Sequence, residues 1–312
     1  MAAAIQAFAL SKRFAGVQAV DRLNLTVETG EIFGLVGPDG AGKTTTMRML
    51  AGILAPDEGS AFVAGYDVVR DSEAVKNQIS YMPQRFGLYE DLTVDENIRF
   101  YADLFGVDAK TRTEHAARLL QAAGMAEFRN RLAGKLSGGM KQKLGLTCAL
   151  IHHPRVLLLD EPTTGVDPVS RRDFWQILYA LLAEGVTILI STAYLDEAER
   201  CTRLALLHRG STLMCDTPER LKSKMKGATL IVTSQQPREA SEALSGADGI
   251  SSLVLVGDGV HLVVDDPSRR RGEIRRRLEA AGVPFEEINA SEPTIEDLFV
   301  ASIERESPYA GQ

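Results

Sequence analysis

Cysteine is scarce in this 312-residue chain. Cys148, Cys201 and Cys215 are odd in number and lack the close pairing of a metal site, which excludes a disulfide framework and a zinc cluster. Each sits beside apolar residues, so reduced, buried thiols are expected. Aromatic residues make up only 6% and include a single tryptophan. No apolar run approaches the ~18 residues of a membrane helix, so any work at a membrane needs another chain to span it. The start, MAAAIQAFALSKRF, has no basic segment ahead of its apolar stretch, and a secretory leader is not expected. Positive charge is also in deficit: the net charge is −7, which argues against a general nucleic-acid binder. What remains is an ordinary globular composition, 45% hydrophobic and 25% charged, long enough for one sizeable core and a smaller domain.

Short β-like runs recur at Leu23 to Val27, Ile32 to Val36, Ala61 to Val63, Val156 to Leu159, Val186 to Ile190 and Leu204 to Leu207. Several are apolar on both parities, as strands covered on both faces should be. Helical stretches between them predict an α/β fold around a largely parallel sheet. From Thr93 to about Leu132 strand signals vanish, and Thr93-Val-Asp-Glu96 fits a capping box, so a helical insertion is expected there. The texture changes near Met225-Lys-Gly227. Beyond it a compact βαββα pattern runs through Thr229 to Val232, Pro237 to Leu244, Ser252 to Val256, Val260 to Val264 and Arg269 to Ala281, with a last helix from about Thr294. A boundary is expected at residue 226, separating residues 1–226 from a small α+β domain at 227–312. The arginine-rich helix within that domain reads as a solvated face, partly neutralised by Glu273 and Glu279.

The apolar strand Ile32 to Val36 runs directly into Gly37-Pro38-Asp39-Gly40-Ala41-Gly42-Lys43-Thr44. A helix follows, from Thr45. This is Gly-x4-Gly-Lys-Ser/Thr in the strand-to-helix context that a phosphate-binding P-loop requires. Gly40 and Gly42 let the chain curl so that successive amides face the phosphates. The helix N-terminus adds partial positive charge. Lys43 suits the β- and γ-phosphate oxygens, and Thr44 offers a hydroxyl to Mg²⁺. A second apolar strand ends in Asp160-Glu161. Asp160 suits the magnesium shell, and Glu161, one residue on, suits a water that attacks the γ-phosphate. The competing reading of that acid pair is a capped helix start.

Leu136-Ser-Gly-Gly-Met-Lys-Gln142 is unusual, because few P-loop proteins need a second Gly-Gly at a helix start. Together with the P-loop, the Asp160-Glu161 pair and Gln84 in YMPQ, it resembles the ATP-binding cassette family, over residues 5 to about 225. The resemblance implies a P-loop NTPase cassette: a mostly parallel core sheet, an antiparallel β edge, and a helical subdomain at about 93–135. It implies ATP and Mg²⁺ as cofactors, with Glu161 catalytic and Thr44, Gln84 and Asp160 around the metal. It also implies two cassettes packed head to tail, each ATP lying between one P-loop and Ser137, Gly138 and Gly139 of the other. Phe14 matches the aromatic that stacks on adenine, and Asp167 the loop that touches the opposite cassette. Arg85 to Tyr89 would lie near a groove where a permease helix docks.

Within the family, GLVGPDGAGKTT, YMPQRFGLYEDLTV and RLAGKLSGGMKQKLGL resemble the first cassette of bacterial exporter ATPases assigned to multidrug efflux. The ending EPTIEDLFVA is similar to that of single-cassette exporter subunits. The expected function is therefore an ATP-hydrolysing subunit, peripheral on the cytoplasmic membrane face, that energises an exporter through separate permease subunits and a second cassette, with no nucleic acid. Two other readings stand beside it. One is a soluble ATPase of this family acting on ribosomes or DNA, although those usually carry two cassettes or long coiled-coil insertions. The other is a regulatory cassette that binds ATP with little hydrolysis. The last is motivated by one departure: where the family has histidine after Ser191-Thr192, to contact the γ-phosphate, this chain has Ala193. The frame is held by Tyr194-Leu-Asp-Glu-Ala-Glu199.

Overall fold

The structure is a computed structural model that describes residues 3–225, 227–257 and 259–306. It divides into two compact units, one of residues 1–197 and 201–214, the other of 198–200 and 215–312. The boundary expected at residue 226 falls on Lys226, which lies outside the described residues.

In the first unit, β1 (Ala3–Phe14) and β2 (Val17–Glu28) form a long antiparallel pair that precedes β3 (Ile32–Val36). The helix α1 (Lys43–Leu50) follows, then β4 (Glu58–Val63), β5 (Tyr66–Asp67), α2 (Ser72–Gln78) and β6 (Ile79–Met82). Next come α3 (Val94–Leu104), α4 (Ala109–Ala122), α5 (Gly138–Leu150), β7 (Val156–Asp160), α6 (Pro168–Ala183), β8 (Thr187–Thr192), α7 (Leu195–Ala198), β9 (Arg203–His208) and β10 (Ser211–Asp216). One sheet has the order β2-β1-β4-β5 and the other β10-β9-β3-β8-β7-β6. In the second, β9, β3, β8, β7 and β6 run parallel. Every residue of β3 and β7 is buried, which is why both read as unbroken apolar runs. Because the strands are parallel, the loops after β3, β6, β7, β8 and β9 share one end of the sheet. That end carries the polar residues.

Two helices, α3 and α4, occupy residues 94–104 and 109–122, and the capping box at Thr93 forms, Thr93 Oγ1 accepting from the amide of Glu96. In the second unit, α8 (Pro218–Ser223) precedes β11 (Ala228–Thr233), α9 (Pro237–Leu244), β12 (Ile250–Val256), β13 (Gly259–Val264), α10 (Pro267–Ala280), β14 (Glu287–Ser291) and α11 (Ile295–Glu306). Its sheet has the order β12-β13-β11-β14 and is antiparallel throughout. Leu230, Val232, Val260, Leu262, Ile274 and Leu278 build its core.

Two sequence expectations are corrected. Cys148 and Cys201 are buried, but Cys215 is exposed, because β10 is the edge strand of its sheet. The arginines of α10 are not all solvated: Arg270 is buried and bound to Asp265 at 2.7 Å through both Nε and Nη2.

Candidate active site

At the polar end of the parallel sheet, the loop after β3 curls around a cleft of 610 Å³ lined by Asp39 to Thr45. Gly40 and Gly42 take φ of 78° and 98°, a left-handed conformation that side-chain-bearing residues rarely hold. At Gly42 a Cβ would also meet the carbonyl oxygen of Ala19 at 2.4 Å. Gly42 caps α1 with no side-chain acceptor, so the first amides of the helix are left for an anion. The amide of Gly37 is committed elsewhere, donating to the carbonyl of Thr192 at 3.2 Å. That bond ties the start of the loop to the end of β8.

Lys43 is buried beneath the loop. Its ammonium donates to the carbonyls of Gly37 at 2.8 Å and Pro38 at 3.0 Å, and pairs with Glu161 Oε1 at 2.9 Å. Thr44 donates its hydroxyl to Asp160 Oδ1 at 3.1 Å. Asp160 also accepts from the Ser191 hydroxyl at 2.7 Å and from Tyr81 OH at 3.1 Å. Burial first, and then the neighbouring Asp160 carboxylate, pushes the Tyr81 phenol up to about 12, so it stays a donor. Gln84 Nε2 donates to Glu161 Oε2 at 3.2 Å. The structure thus brings together Lys43, Thr44, Gln84, Asp160 and Glu161 from the ends of β3, β6 and β7.

Glu161 sits at φ 48°, a costly conformation for a residue with a Cβ. Its amide is held by Ser191 through the carbonyl at 3.1 Å and the hydroxyl at 3.0 Å. In this conformation its carboxylate lies against Lys43 and on the cleft wall. No sequence motif assigns Ser191 a role, although it stands in the last polar pair of β8. Tyr81 and Ser191 fix Asp160 as surely as Thr44 does.

Ala193 follows β8 and is exposed. The turn it occupies is held from beneath by Glu197, which is fully buried. Glu197 accepts from Thr192 Oγ1 at 2.8 Å, Thr163 Oγ1 at 2.8 Å and Trp175 Nε1 at 3.2 Å. One carboxylate thereby joins the β8 turn to the loop after Glu161 and to α6.

The remaining expected residues lie outside the cleft wall. Phe14 ends β1 and is 45% exposed, with Lys12 Nζ 5.6 Å from its ring centre. The cleft is lined there by Val17, Gln18 and Ala19. Ser137 caps α5, accepting from the amide of Met140 at 3.3 Å. Gly139 is wedged against Ser170, whose amide donates to Asp167 at 2.9 Å. Burying no side chain of its own, the Ser137-Gly138-Gly139 segment forms a second open helix start, separate from the P-loop cleft.

Comparison with known proteins gives concordant results. Residues 20–164 match the ABC transporter family model. A relative described as a probable multidrug ABC transporter ATP-binding protein, YbhF of Escherichia coli (strain K12), is 47% identical over 297 residues, covering 93% of this chain. The chain spans 50% of that relative's length. The daunorubicin resistance ATP-binding protein DrrA2 of Streptomyces coeruleorubidus is 35% identical over 302 residues, covering 95% of this chain and 94% of the relative. A solved structure of the ATP-binding subunit of an ABC transporter superposes with a TM-score of 0.65 at 28% identity, over 70% of this chain and 92% of its own.

Proposed function

Since the chain belongs to the ABC transporter family as an ATP-binding cassette, we propose that it hydrolyses ATP to energise a membrane exporter of the multidrug-efflux kind through separate permease subunits. The single observation that supports this most is the convergence of Lys43, Thr44, Asp160 and Glu161 at the mouth of one P-loop. Lys43 and the amides of the loop bind the phosphates. Glu161 accepts a proton from the attacking water, and Gln84 orients it. The donor set beside Thr44 is all hard oxygen, hydroxyl and carboxylate, which fits Mg²⁺. Thr44, Asp160 and Gln84 would hold that ion, which supplies charge neutralisation at the phosphate oxygens. Ser137, Gly138 and Gly139 complete the site of a second cassette.

An apolar groove of 310 Å³ supports the permease as partner. Ile53, Phe86, Tyr101, Leu104 and Phe105 line it, and Ile53 and Leu104 are 59% and 66% exposed. Phe86 lies two residues from Gln84, so a helix in the groove bears on the residue that touches Glu161. Among the described residues no helix is long and apolar enough to cross a membrane. The reading therefore makes this a peripheral subunit on the cytoplasmic face, with residues 1–226 as the engine and 227–312 as an accessory domain. The test is phosphate release by the purified chain with MgATP, in parallel with Lys43→Ala. Turnover that survives Lys43→Ala removes the assignment. Co-fractionation with membranes that is lost in Leu104→Glu, with ATPase intact, tests the permease.

A further inference from the structure

The cleft carries a second cation, on the flank away from the catalytic carboxylates. Arg209 lines the cleft together with Val17, Gln18 and Ala19. It follows β9, whereas Glu161 and Gln84 follow β7 and β6. The strand order β9-β3-β8-β7-β6 sets the P-loop between them. Three strand spacings separate β9 from β7, roughly 14 Å. Arg209 therefore enters the cleft from a strand three spacings away from the one that leads into Glu161.

The turn that carries it is pinned. Arg209 and Gly210 take φ of 47° and 82°, the two-residue turn of a tight hairpin. The amide of Gly210 donates to the P-loop carbonyl of Ala41 at 3.2 Å, and its carbonyl accepts from Asp21 at 2.8 Å. The guanidinium is exposed, and among the described residues no carboxylate pairs with it. Its neighbours in the wall include Val17, an apolar side chain left 68% exposed. A planar cation over an apolar rim is a surface for an aromatic ring rather than for phosphate, which Lys43 already serves.

We infer that Arg209 is a nucleotide-binding residue, its guanidinium packing on the purine ring of the nucleotide whose phosphates the P-loop holds. The inference rests on the nucleotide reading above and deepens it.

The test is calorimetric binding by the full chain of three probes: ATP, ADP and inorganic tripolyphosphate. The variants are Arg209→Asn, chosen because asparagine tolerates a positive φ, and Arg209→Lys, which keeps charge but loses the plane. Arg209→Asn should weaken ATP and ADP together by roughly three- to thirtyfold, the range of a cation on an aromatic face. Tripolyphosphate should change by less than about twofold, and lysine should restore only part of the loss. Equal losses for ATP and tripolyphosphate, or full restoration by lysine, would mean that Arg209 acts only through its charge, which overturns the inference. Unchanged ATP affinity overturns it as well. Failure of the unsubstituted chain to bind any probe defeats the nucleotide reading itself and is read separately. A thermal melt of each variant keeps misfolding apart from lost contact.

Discussion

The ammonium of Lys43 lies 2.9 Å from the carboxylate of Glu161, and the side chains are only 4% and 11% exposed. The cation that should meet the phosphates is bound to the base that should activate water. We propose that a nucleotide's phosphates would compete with Glu161 for Lys43, releasing the carboxylate to accept a proton, so that binding and base activation would be one exchange. Glu161→Gln should lower turnover by about 10²–10⁴-fold, the range for a lost general base. It should also leave Lys43 buried without a counter-charge, destabilising the ligand-free chain, and ATP should restore more stability to it than to the parent. Thermal melts with and without ATP check this. An ATP-induced rise in Tm no larger in Glu161→Gln than in the parent would sink the exchange.

Ala193 supplies no polar group at the turn after β8, yet the turn is anchored by Thr192 to the buried Glu197. If this turn is the γ-phosphate switch that the family resemblance implies, its anchor is present and its polar side chain is missing. Ala193→His should raise kcat, by up to about 10²-fold if the imidazole reaches the developing charge. Steady-state phosphate release decides it. Glu197→Gln in the same background should cancel the gain, because the turn loses its anchor.

Much of this site was legible in the sequence because phosphate chemistry demands local patterns. Gly40 and Gly42 must curl, Lys43 and Thr44 must follow, and Asp160-Glu161 must end a buried strand. The residues that no local pattern marks act through non-local geometry. Tyr81 and Ser191 reach Asp160 only because β6 and β8 flank β7. Arg209 reaches the cleft only because β9 flanks β3. Four short strands leave no signal in the sequence: β5 and β6 span only two and four residues, while β10 buries no residue fully and β14 buries only Ile288, so neither shows an apolar alternation. The long β1 was missed for another reason: register shifts break its alternation.

In the smaller unit, Asp297 is fully buried at the start of α11. His261 Nδ1 lies 3.1 Å away, and the Thr294 amide and hydroxyl each donate at 2.9 Å. Burial pushes this carboxyl up, but the bonds from His261 and Thr294 outweigh it and hold it below its ordinary value. A depressed folded pKa means that the unfolded chain takes up the proton first as pH falls. The contribution is therefore complete above the unfolded value, near ~3.9, and is lost as pH drops through the lower folded value. Asp297→Asn should lower the Tm at pH 7 and converge with the parent in strong acid. Melts followed by circular dichroism at pH 7, 5 and 3 check it, and a constant difference across that range would exclude the linkage.

Gly138 and Gly139 are adjacent at the start of α5 but differ in what surrounds them. A Cβ on Gly139 would meet Ser170 Oγ at 2.3 Å and Cβ at 2.4 Å, whereas a Cβ on Gly138 meets nothing within 4 Å. Gly139 is required by its own chain: α5 and the start of α6 touch there. Gly139→Ala should cost about 1–3 kcal/mol by overpacking, visible as a lower Tm. Gly138 has no such reason within the chain, and as a helix residue it weakens α5 relative to alanine. Its absence of a side chain makes sense if a second cassette brings a nucleotide against this helix start. Gly138→Asp should therefore leave the Tm of the isolated chain nearly unchanged while abolishing turnover, since it sets a negative charge against the partner's γ-phosphate. Binding of ATP to the chain's own P-loop should persist, because that cleft does not include Gly138. Calorimetry and phosphate release on the same preparation separate the two effects. Full turnover in Gly138→Asp would mean that the helix start faces solvent and that a single chain completes its own site.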